Sequence, residues 1–537
     1  MANQNFEETY EVNETIFTAQ ENNKSKQIRT IFDPVHDHIL LPAILWKIID
    51  TEQFQRLRNI KYNEFLYGVY MGATFSFFDL SIGAAHLAKM YMLFIEETNS
   101  NNELFSKFID GNSKDHFKDI ICLTQVAALS YNLGQLPFRK IIKKLLKNQN
   151  YEICPKNDRS VQLLEIILLN QQLSNNQLSE NKAEKTFNDE QVEVIKYMIL
   201  GISQDEWGKK DNEFKKKYPY WIFKIVKNQD KSDKGKYNFD IIRLEKQFRV
   251  NFAILGKPIN KEYYYIFIHT QIYTPKNQKD PQICDLKLNQ IKNFEDEKKH
   301  HDKILKYHKA NMGISLTFYD VFESVFDFLT SHISFFQKEA YKNYQNHHDK
   351  KKYLLDKKEQ IREFNYLDDN IIDEIKKNRS KNEMFKAGQQ IIQQYENRIF
   401  LKLMFDGYFE FNQEVEQFIQ YVEQSFQNTK LKIIILLENQ DQSQKQVFIE
   451  DLNFKNGQKG DKILIRIYSD KEIKAHFKDI KEKFKDRKEP ITTQEQQSSS
   501  KQPSQCSLEK IDEKEEKQLK KNQQPQNDNE NSFSQIS

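Results

Sequence analysis

Cysteine, glycine and proline are scarce in this chain of 537 residues, which contains 14 Gly, 11 Pro and 4 Cys. The low Gly and Pro content argues against a β-sandwich, which needs many turns, and favours a helix-rich protein. The four cysteines are scattered and form no CxxC pair (Cys122, Cys154, Cys284 and Cys506). We therefore expect reduced thiols in an intracellular protein and no zinc site of the cysteine type.

A long apolar run, a signal sequence and an excess of charge are also missing. The longest notable apolar run, at 433–437, is much shorter than the roughly 20 residues of a membrane span. Residues 1–17 have neither the basic region nor the apolar stretch of a signal peptide. The formal charge of +3 does not indicate a nucleic-acid surface. We expect a soluble protein of the nucleus or cytoplasm that contacts neither a membrane nor nucleic acid.

What is present is mainly helical patterning. Helical stretches are predicted at 43–60, 81–97, 117–133, about 191–250 and 385–404. A polar segment between two of these stretches, at 171–190, predicts a surface insertion. Strand-like runs separated by polar turns, one of them Asn456–Gly457, come late in the chain, at 430–438, 446–454 and 462–469.

These patterns predict a mainly α-helical fold with a small C-terminal α+β lobe that contains an antiparallel sheet. We expect a flexible N-terminal arm at 1–28, a helical domain at 29–340, the C-terminal helical and β lobe at 341–486, and a tail at 487–537. The tail is rich in Gln, Ser, Lys and Glu, so it cannot bury enough apolar surface to fold and is predicted to be disordered.

Three motifs occur in a fixed order. FDPVHDHILL and IIDTEQFQRLRNIK lie within 32–61, GATFSFFDLSIGAAHLA at 72–88, and VAALSYNLGQLPFRK at 126–140. They resemble the DPxHGxI, IIDTPxFQRLR, GASHNRFEHSLGVxxLA and AGLCHDLGHGPFSH segments of the HD-domain deoxynucleoside triphosphate triphosphohydrolases. Weaker matches extend the resemblance to about residue 470. It is closest to the nucleotide-regulated type that carries a sterile-alpha-motif domain in animals, and it implies the HD-domain helical fold.

In that family one His, an adjacent His-Asp pair and a distant Asp hold a divalent ion that polarises phosphate and activates water. The resemblance places four residues at these ligand positions: Leu80, Tyr131, Asn132 and Tyr237. None of them carries an imidazole or a carboxylate. Asp240, three residues after Tyr237, matches an Asp of the family that is not a ligand. We therefore expect no catalytic residue, no bound metal and no resident cofactor.

Residues that support catalysis in the family are changed as well. Gln135 and Lys140 stand in place of histidines, and Phe77 stands in place of an arginine of the substrate pocket. Lys156 and Asn157 occupy the positions of a His-Glu pair that assists proton transfer. The resemblance therefore implies that the chain has the fold of this enzyme family but lacks the residues that carry out its reaction.

A relocated metal site is the alternative. Three His-Asp dipeptides are present: His36–Asp37, His301–Asp302 and His348–Asp349. The last two lie in polar surroundings that are typical of solvated helix faces or loops, and a dipeptide fixes only two ligands. For His36 and His38 we predict a structural part, namely shaping a turn near the regulatory nucleotide region that the resemblance implies.

The regulatory guanine site of the family matches better. The resemblance assigns to it Arg29, Asp50, Gln55, Arg58, Arg398 and Lys402, the last two from a later helix. A carboxylate at Asp50 can accept from guanine N1–H and N2–H₂ together, which adenine does not offer, and the cations would meet the triphosphate. We predict a helix break at Asp50–Thr51 and a site between subunits.

Two alternatives at this corner stay open. Asp50 and Arg58 could simply pair with each other, and QRLR could be a packing corner of the fold. A second regulatory pocket of the family is degraded here, because Gln271 and Ser331 fall where arginines belong.

Three functions follow from these observations. The leading hypothesis is a pseudoenzyme, an oligomeric regulatory or scaffold subunit that binds GTP or dGTP and pairs with its own copies or with an active paralogue. The second is an active dGTPase-like enzyme of dNTP catabolism with non-standard ligands. The third is a scaffold that binds no nucleotide.

Overall fold

The computed structural model describes residues 28–178, 186–228, 239–257, 266–267, 269–274, 282–285, 288–301, 304–305, 307–378, 383–410, 418–422, 424, 431–438, 444–448 and 462–469. The helices of the N-terminal half are α1 (Ala43–Ile49), α2 (Glu52–Gln55), α3 (Phe77–Thr98), α4 (Glu103–Asn112), α5 (Lys114–Ser130), α6 (Arg139–Asn148), α7 (Lys156–Leu178), α8 (Asp189–Leu200), α9 (Gln204–Gly208), α10 (Asn212–Lys217), α11 (Phe223–Val226) and α12 (Ile241–Arg249). Those that follow are α13 (Leu288–His301), α14 (Lys309–Ser324), α15 (Phe326–Ile333), α16 (Lys338–Asn346), α17 (Lys350–Asp356), α18 (Lys358–Tyr366), α19 (Ile371–Lys377) and α20 (Glu383–Glu396).

The strands form three antiparallel sheets. They are β1 (Arg29–Asp33), β2 (Asp37–Leu41), β3 (Thr270–Tyr273), β4 (Gln282–Asp285), β5 (Lys402–Glu410), β6 (Leu431–Glu438), β7 (Gln444–Phe448) and β8 (Lys462–Ser469). β1 pairs with β2, β3 pairs with β4, and the last four strands form one sheet in the order β5-β8-β6-β7. The predicted fold class, mainly α with a small sheet-containing lobe, is confirmed.

Helices α3 and α5 form the centre of the core. α3 begins with a capping box, in which Ser76 accepts from the backbone of Asp79 and the Asp79 side chain accepts from Ser76 N. By length and composition α3 could cross a membrane, which the sequence analysis did not foresee, but 89% of its apolar window is buried inside the protein. A helix that is apolar all round and covered by its neighbours is typical of a protein core.

The hairpin of β1 and β2 was not predicted, because the segment after Arg29 was expected to be helical. Ile31 pairs with Ile39, and the side chain of Asp33 closes the turn by accepting from Val35 N at 2.8 Å. Asp37 follows in the left-handed region at φ 60°. An aspartate that satisfies backbone N–H groups two and three residues later stabilises a turn locally, and this competes with helix formation.

A buried ionic network ties this hairpin to α12. His36 Nε2 lies 2.5 Å from Glu245 Oε2, and Arg249 Nη2 donates to Asp33 Oδ2 at 2.6 Å. Arg249 Nε also donates to the other oxygen of Glu245. Gly83 of α3 faces this pair so closely that a Cβ there would lie 2.1 Å from Glu245 Oε1. The glycine is therefore what allows α3 and α12 to pack with charged groups between them.

The C-terminal sheet agrees in part with the strand predictions. β6 and β8 coincide with the runs at 430–438 and 462–469, and β7 overlaps the start of the run at 446–454. Residues 449–454 and the turn Asn456–Gly457 lie outside the described residues. The sheet docks on α14 through Gly313, whose Cβ would meet Leu401 O at 2.2 Å, so only glycine permits this approach.

The helix predicted at 385–404 is wrong beyond its first three turns. α20 ends at Glu396, and Arg398 adopts a left-handed φ of 62°. Ile399 N then donates to Gln394 O at 2.8 Å, a six-to-one bond that closes the helix end. The segment that follows continues as β5, which contains the aromatic residues Phe405, Tyr408 and Phe409, and aromatic residues are enriched in strands.

The first part of the insertion predicted at 171–190 is helical, because α7 continues to Leu178, and residues 179–185 lie outside the described residues. Gln and Leu within this segment are good helix formers, which explains the continuation. The domain boundaries at 340 and 486 stay predictions, and both the arm before residue 28 and the tail after 487 lie outside the described residues.

The carboxyl group of Asp369 gives the fold a predicted pH dependence. Burial raises its pKa from 3.8 to about 7, against the lowering effect of a hydrogen bond from Lys61 N. Because the pKa in the folded state exceeds the unfolded value, protonated Asp369 stabilises the fold at low pH, and this contribution is lost as pH rises from about 4 to about 7. We expect Asp369→Asn to gain stability relative to the native chain over this window, by up to a few kcal/mol. Urea unfolding at pH 5, 6, 7 and 8 measures it, and a difference that does not change with pH would refute the assignment.

Candidate functional site

Three of the four positions expected to have lost their metal ligands, 80, 131 and 132, are among the described residues, and all three are buried. Leu80 is buried on α3, and its neighbour Ser81 accepts a hydrogen bond from Asn132 Nδ2 at 3.2 Å. Asn132 follows α5, and its Oδ1 lies 3.5 Å from Gln135 Nε2. An aliphatic side chain, a hydroxyl and two amides therefore occupy this part of the centre, and none of them is a strong ligand for a divalent ion.

Tyr131 is held by the start of α7. Lys156 Nζ donates to Tyr131 O at 2.6 Å and lies 3.1 Å from the centre of the phenol ring. Ser160 Oγ donates to the same carbonyl at 2.9 Å. Burial raises the pKa of the Tyr131 phenol, and the nearby carboxylate of Asp240 raises it further, against a lowering hydrogen bond with Asn157. The phenol is therefore protonated at neutral pH and places no negative charge at this position.

Asp240 is the carboxylate that approaches this centre. It is fully buried, it caps the N-terminus of α12, and its field reaches Tyr131. Both of its oxygens are engaged: Lys227 Nζ lies 2.8 Å and Arg243 Nε 3.1 Å from Oδ2, while Oδ1 accepts from Arg243 N at 2.8 Å. Tyr237, the residue expected at the position of the distant Asp, lies outside the described residues.

Asp240 was predicted not to be a metal ligand, and no role was predicted for Lys227. A signal for Asp240 was present, because an Asp directly before the amphipathic run IIRLEKQF is typical of a helix cap. No local sequence pattern pointed to Lys227. It pairs with Asp240 across an intervening segment, and the length of that segment does not predict which side chains will meet.

The buried position of Lys156 disfavours the charged form of its side chain. Burial lowers the pKa of its ammonium group well below 10.5, and the fields of Arg159, Lys227 and Arg139 lower it further. Two lysines thus meet near the one carboxylate of the centre.

Among the described residues, no group of three or more His, Cys, Asp or Glu side chains is arranged to hold a metal ion. His36 is buried in the hairpin turn, whereas the side chain of Asp37 is 77% exposed and pairs with His38, so the dipeptide points two ways. Asp349 caps α17 by accepting from Lys352 N. Asp302 lies outside the described residues.

Four of the residues assigned to the guanine site meet at one corner. Arg29 Nη1 lies 2.9 Å from Asp50 Oδ2, and both side chains are about half exposed. Gln55 links the corner through two bonds, donating to Ile49 O at 2.7 Å and accepting from Arg58 Nε at 2.7 Å. The predicted helix break is confirmed, because Asp50 ends α1 and Thr51 begins α2.

The alternative pairing of Asp50 with Arg58 is not what the structure shows. Asp50 pairs with Arg29, and the Arg58 guanidinium lies 3.5 Å from the centre of the Phe78 ring. The carboxylate, the amide and two guanidinium groups are therefore held at the surface of one corner, with their polar atoms near solvent.

Arg398 and Lys402, the other two residues assigned to the guanine site, lie in the turn after α20 and in β5. The expectation that both lie on a helix is wrong, because Arg398 is in the turn after α20 and Lys402 begins β5. In the described part of the chain neither bonds to Arg29, Asp50, Gln55 or Arg58. The residues of the second pocket are exposed, with Gln271 on β3 and Ser331 on α15, where its hydroxyl donates to Phe328 O.

Comparison with known proteins gives partial matches. The deoxynucleoside triphosphate triphosphohydrolase SAMHD1 of Gallus gallus is 28% identical over 240 residues, which cover 41% of this chain and 36% of that protein. The human protein of the same name is 35% identical over 111 residues (21% and 16%), and the SAMHD1 homolog of Dictyostelium discoideum is 34% identical over 116 residues (21% and 20%). No protein-family model matches the chain.

These alignments span between 16% and 36% of the three relatives, so they cover only part of each. They agree with the resemblance that the three ordered motifs carry. The chain is thus a relative of the HD-domain deoxynucleoside triphosphate triphosphohydrolases.

Proposed function

We propose that this chain is a catalytically inactive relative of the dNTP triphosphohydrolases that acts as an oligomeric regulatory or scaffold subunit and binds guanine nucleotide. One observation carries the inactive part of the proposal: the carboxylate of Asp240 is already neutralised by Lys227 and Arg243. A divalent ion would have to displace an ammonium group from a buried carboxylate. It would gain only a phenol, two amides and an aliphatic chain in return, and these do not offset the loss of its hydration.

A direct experiment separates this proposal from its rival, an active enzyme with non-standard ligands. We expect protein purified without chelators to contain less than stoichiometric Fe, Mn and Zn, and to leave dGTP intact in the presence of Mn²⁺ or Mg²⁺. Metal analysis by mass spectrometry and chromatography of the products measure both. Stoichiometric metal together with release of deoxyguanosine and triphosphate would establish the rival.

Guanine binding is supported by the corner at Asp50. Its carboxylate is about half exposed and bonds to Arg29 through one oxygen, and the exposed Arg58 bonds to Gln55 of the same corner. Both arginines could serve as partners for phosphate. A guanine edge offers the two matching donors, while adenine presents only one donor on that edge. When nucleotide binds, Arg29 would exchange its bond with Asp50 for one with the triphosphate. Before binding, the Arg29–Asp50 pair leaves neither charge without a partner.

The oligomeric part of the proposal follows from the place of Arg398 and Lys402. The family resemblance assigns both to the guanine site, yet among the described residues of one chain they make no bond to the Asp50 corner. A second copy, or an active paralogue, would supply them. Light scattering with and without GTP is the measurement, and we expect the mass to rise with GTP.

We predict that GTP and dGTP stabilise the protein and that ATP does not. At a nucleotide concentration of about 100 Kd the gain is about 2.7 kcal/mol. Asp50→Asn removes one acceptor and should abolish the gain, while Asp115→Asn, which alters a carboxylate that is 91% exposed on α5, should preserve it. Thermal unfolding of the native chain and the two variants, with and without each nucleotide, measures this stabilisation. Equal shifts with ATP, or no shift with any nucleotide, would favour the scaffold that binds no nucleotide.

A further inference from the structure

A cavity of about 260 Å³ lies beside the inactive centre, and its wall is strongly basic. Five cationic side chains line it: Arg139, Lys140, Arg243, Lys246 and Lys298. None of the described residues of the wall is a carboxylate, although Arg243 also pairs with Asp240 behind it. Like charges gathered around one cavity repel one another, and an anion bound between them would remove that repulsion.

The pKa of Tyr62 indicates how strongly the positive charges around the cavity act on a group inside it. Burial alone would raise the pKa of its phenol, but the charges of Lys246 and Arg139, and hydrogen bonds with both, lower the pKa from 10.0 to about 8. The Arg139 guanidinium lies 4.4 Å from the centre of the Tyr62 ring. The cavity therefore favours negative charge strongly enough to overcome the cost of burying it.

Three polar atoms on the same wall have no hydrogen-bond partner in the protein: Asn63 Nδ2, His301 Nε2 and Asn311 Oδ1. His301 and Asn311 are 6% and 4% exposed. Burial lowers the pKa of His301 to about 4, so its ring is neutral at pH 7, and Glu297 at 3.9 Å is too far for a hydrogen bond. Buried polar atoms without partners are rare in folded proteins, so the two nitrogens among them, Asn63 Nδ2 and His301 Nε2, indicate a ligand that accepts hydrogen bonds.

We propose that this cavity binds the polyphosphate group of a small molecule without a divalent ion. Lysine and arginine side chains supply the charge that a metal ion supplies in phosphate chemistry, while Asn63 and His301 donate to phosphate oxygens. The volume is below the roughly 300 Å³ at which pockets for drug-sized ligands begin, so it suits a di- or triphosphate group better than a whole nucleotide. The inference rests on the proposed function in one respect, which is that no metal ion bridges protein and ligand.

Inorganic tripolyphosphate in EDTA is the probe, because it has no base for the Asp50 corner to recognise. We expect saturable binding by isothermal titration calorimetry. Lys246→Met should weaken it about tenfold, the loss of roughly one charge-assisted hydrogen bond. Arg139→Met should act in the same direction, and Lys143→Met, which removes an exposed lysine of the same helix α6, should leave the affinity unchanged.

A second measurement does not depend on these variants folding well. Tripolyphosphate should raise the pKa of Tyr62 in the native chain, followed as tyrosinate absorbance with Tyr62→Phe as the reference. Binding that requires Mn²⁺, binding that Lys246→Met and Arg139→Met leave intact, or a pKa of Tyr62 that stays constant would each overturn the proposal. Hydrolysis of dGTP would instead overturn the proposed function, so the two failures are distinguishable.

Discussion

Replacing Arg249 by Met is expected to lower the free energy of unfolding by about 3–5 kcal/mol. Arg249 is buried between Asp33 and Glu245, and its guanidinium donates to both carboxylates. Methionine fills a similar volume but leaves two buried carboxylates without the guanidinium that joins them, although Glu245 keeps its hydrogen bond with His36. Removing one partner of a buried charge network costs more than the network contributes, because the remaining charges keep their desolvation penalty.

A double variant tests whether the lower free energy of unfolding arises from buried charges left without their partner. Glu245→Gln combined with Arg249→Met removes one carboxylate together with its cation, so we expect the pair to be less destabilising than the sum of the single variants by at least about 1 kcal/mol. Urea unfolding followed by circular dichroism measures all three proteins. Additive effects, or a loss for Arg249→Met below about 1 kcal/mol, would show that the network does not stabilise the packing of the hairpin on α12.

The second large effect is expected at Arg56, which lies two residues before Arg58 in the same QRLR motif. Arg56 is buried and donates to three backbone carbonyls, those of Leu367 at 2.7 Å, Leu133 at 2.9 Å and Gln135 at 2.7 Å. Its guanidinium also lies 4.2 Å from the centre of the Phe364 ring. Arg56 therefore holds the loop after α5 against α18.

Arg56→Met should cost about 3 kcal/mol or more, because three buried acceptors lose their donor at once. Arg58→Met is the matched control: this neighbour is exposed and bonds to one side chain, Gln55, so we expect a loss below about 1 kcal/mol. Thermal and urea unfolding of both variants give the comparison. Equal losses would mean that the buried carbonyls find other donors and that Arg56 does not determine the position of the loop.

The sequence predicted the helical class and the order of the main elements because helices depend on local periodicity. Helices α3 and α5 and strands β6 and β8 were recognised in this way. The hairpin of β1 and β2 was missed because its turn depends on the side chain of Asp33, which accepts from two backbone groups. The end of α20 was missed because the left-handed conformation of Arg398 replaces the glycine that usually marks such an end.

At the candidate site the sequence identified the residues but not their partners. The convergence of Asn132 and Gln135 beside Leu80, and the corner formed by Arg29 and Asp50, followed from motif order. The pairing of Lys227 with Asp240 and the basic cavity around Tyr62 did not, because both depend on side chains brought together from distant parts of the chain. Such tertiary contacts leave no periodic signal in the sequence.

The lysines at the former ligand sphere have a consequence for any return of enzymatic activity. Introducing His at position 80 and a His-Asp pair at 131–132 would supply three of the four ligands that the resemblance implies, while position 237 would still hold Tyr. Lys227 would still pair with Asp240, and Lys156 would still lie over the side chain at position 131. A dication would meet the side-chain nitrogens of Lys227 and Lys156 there, where further ligands are needed. If the proposed function holds, restoring hydrolysis would therefore require changes at both lysines in addition to the ligand positions.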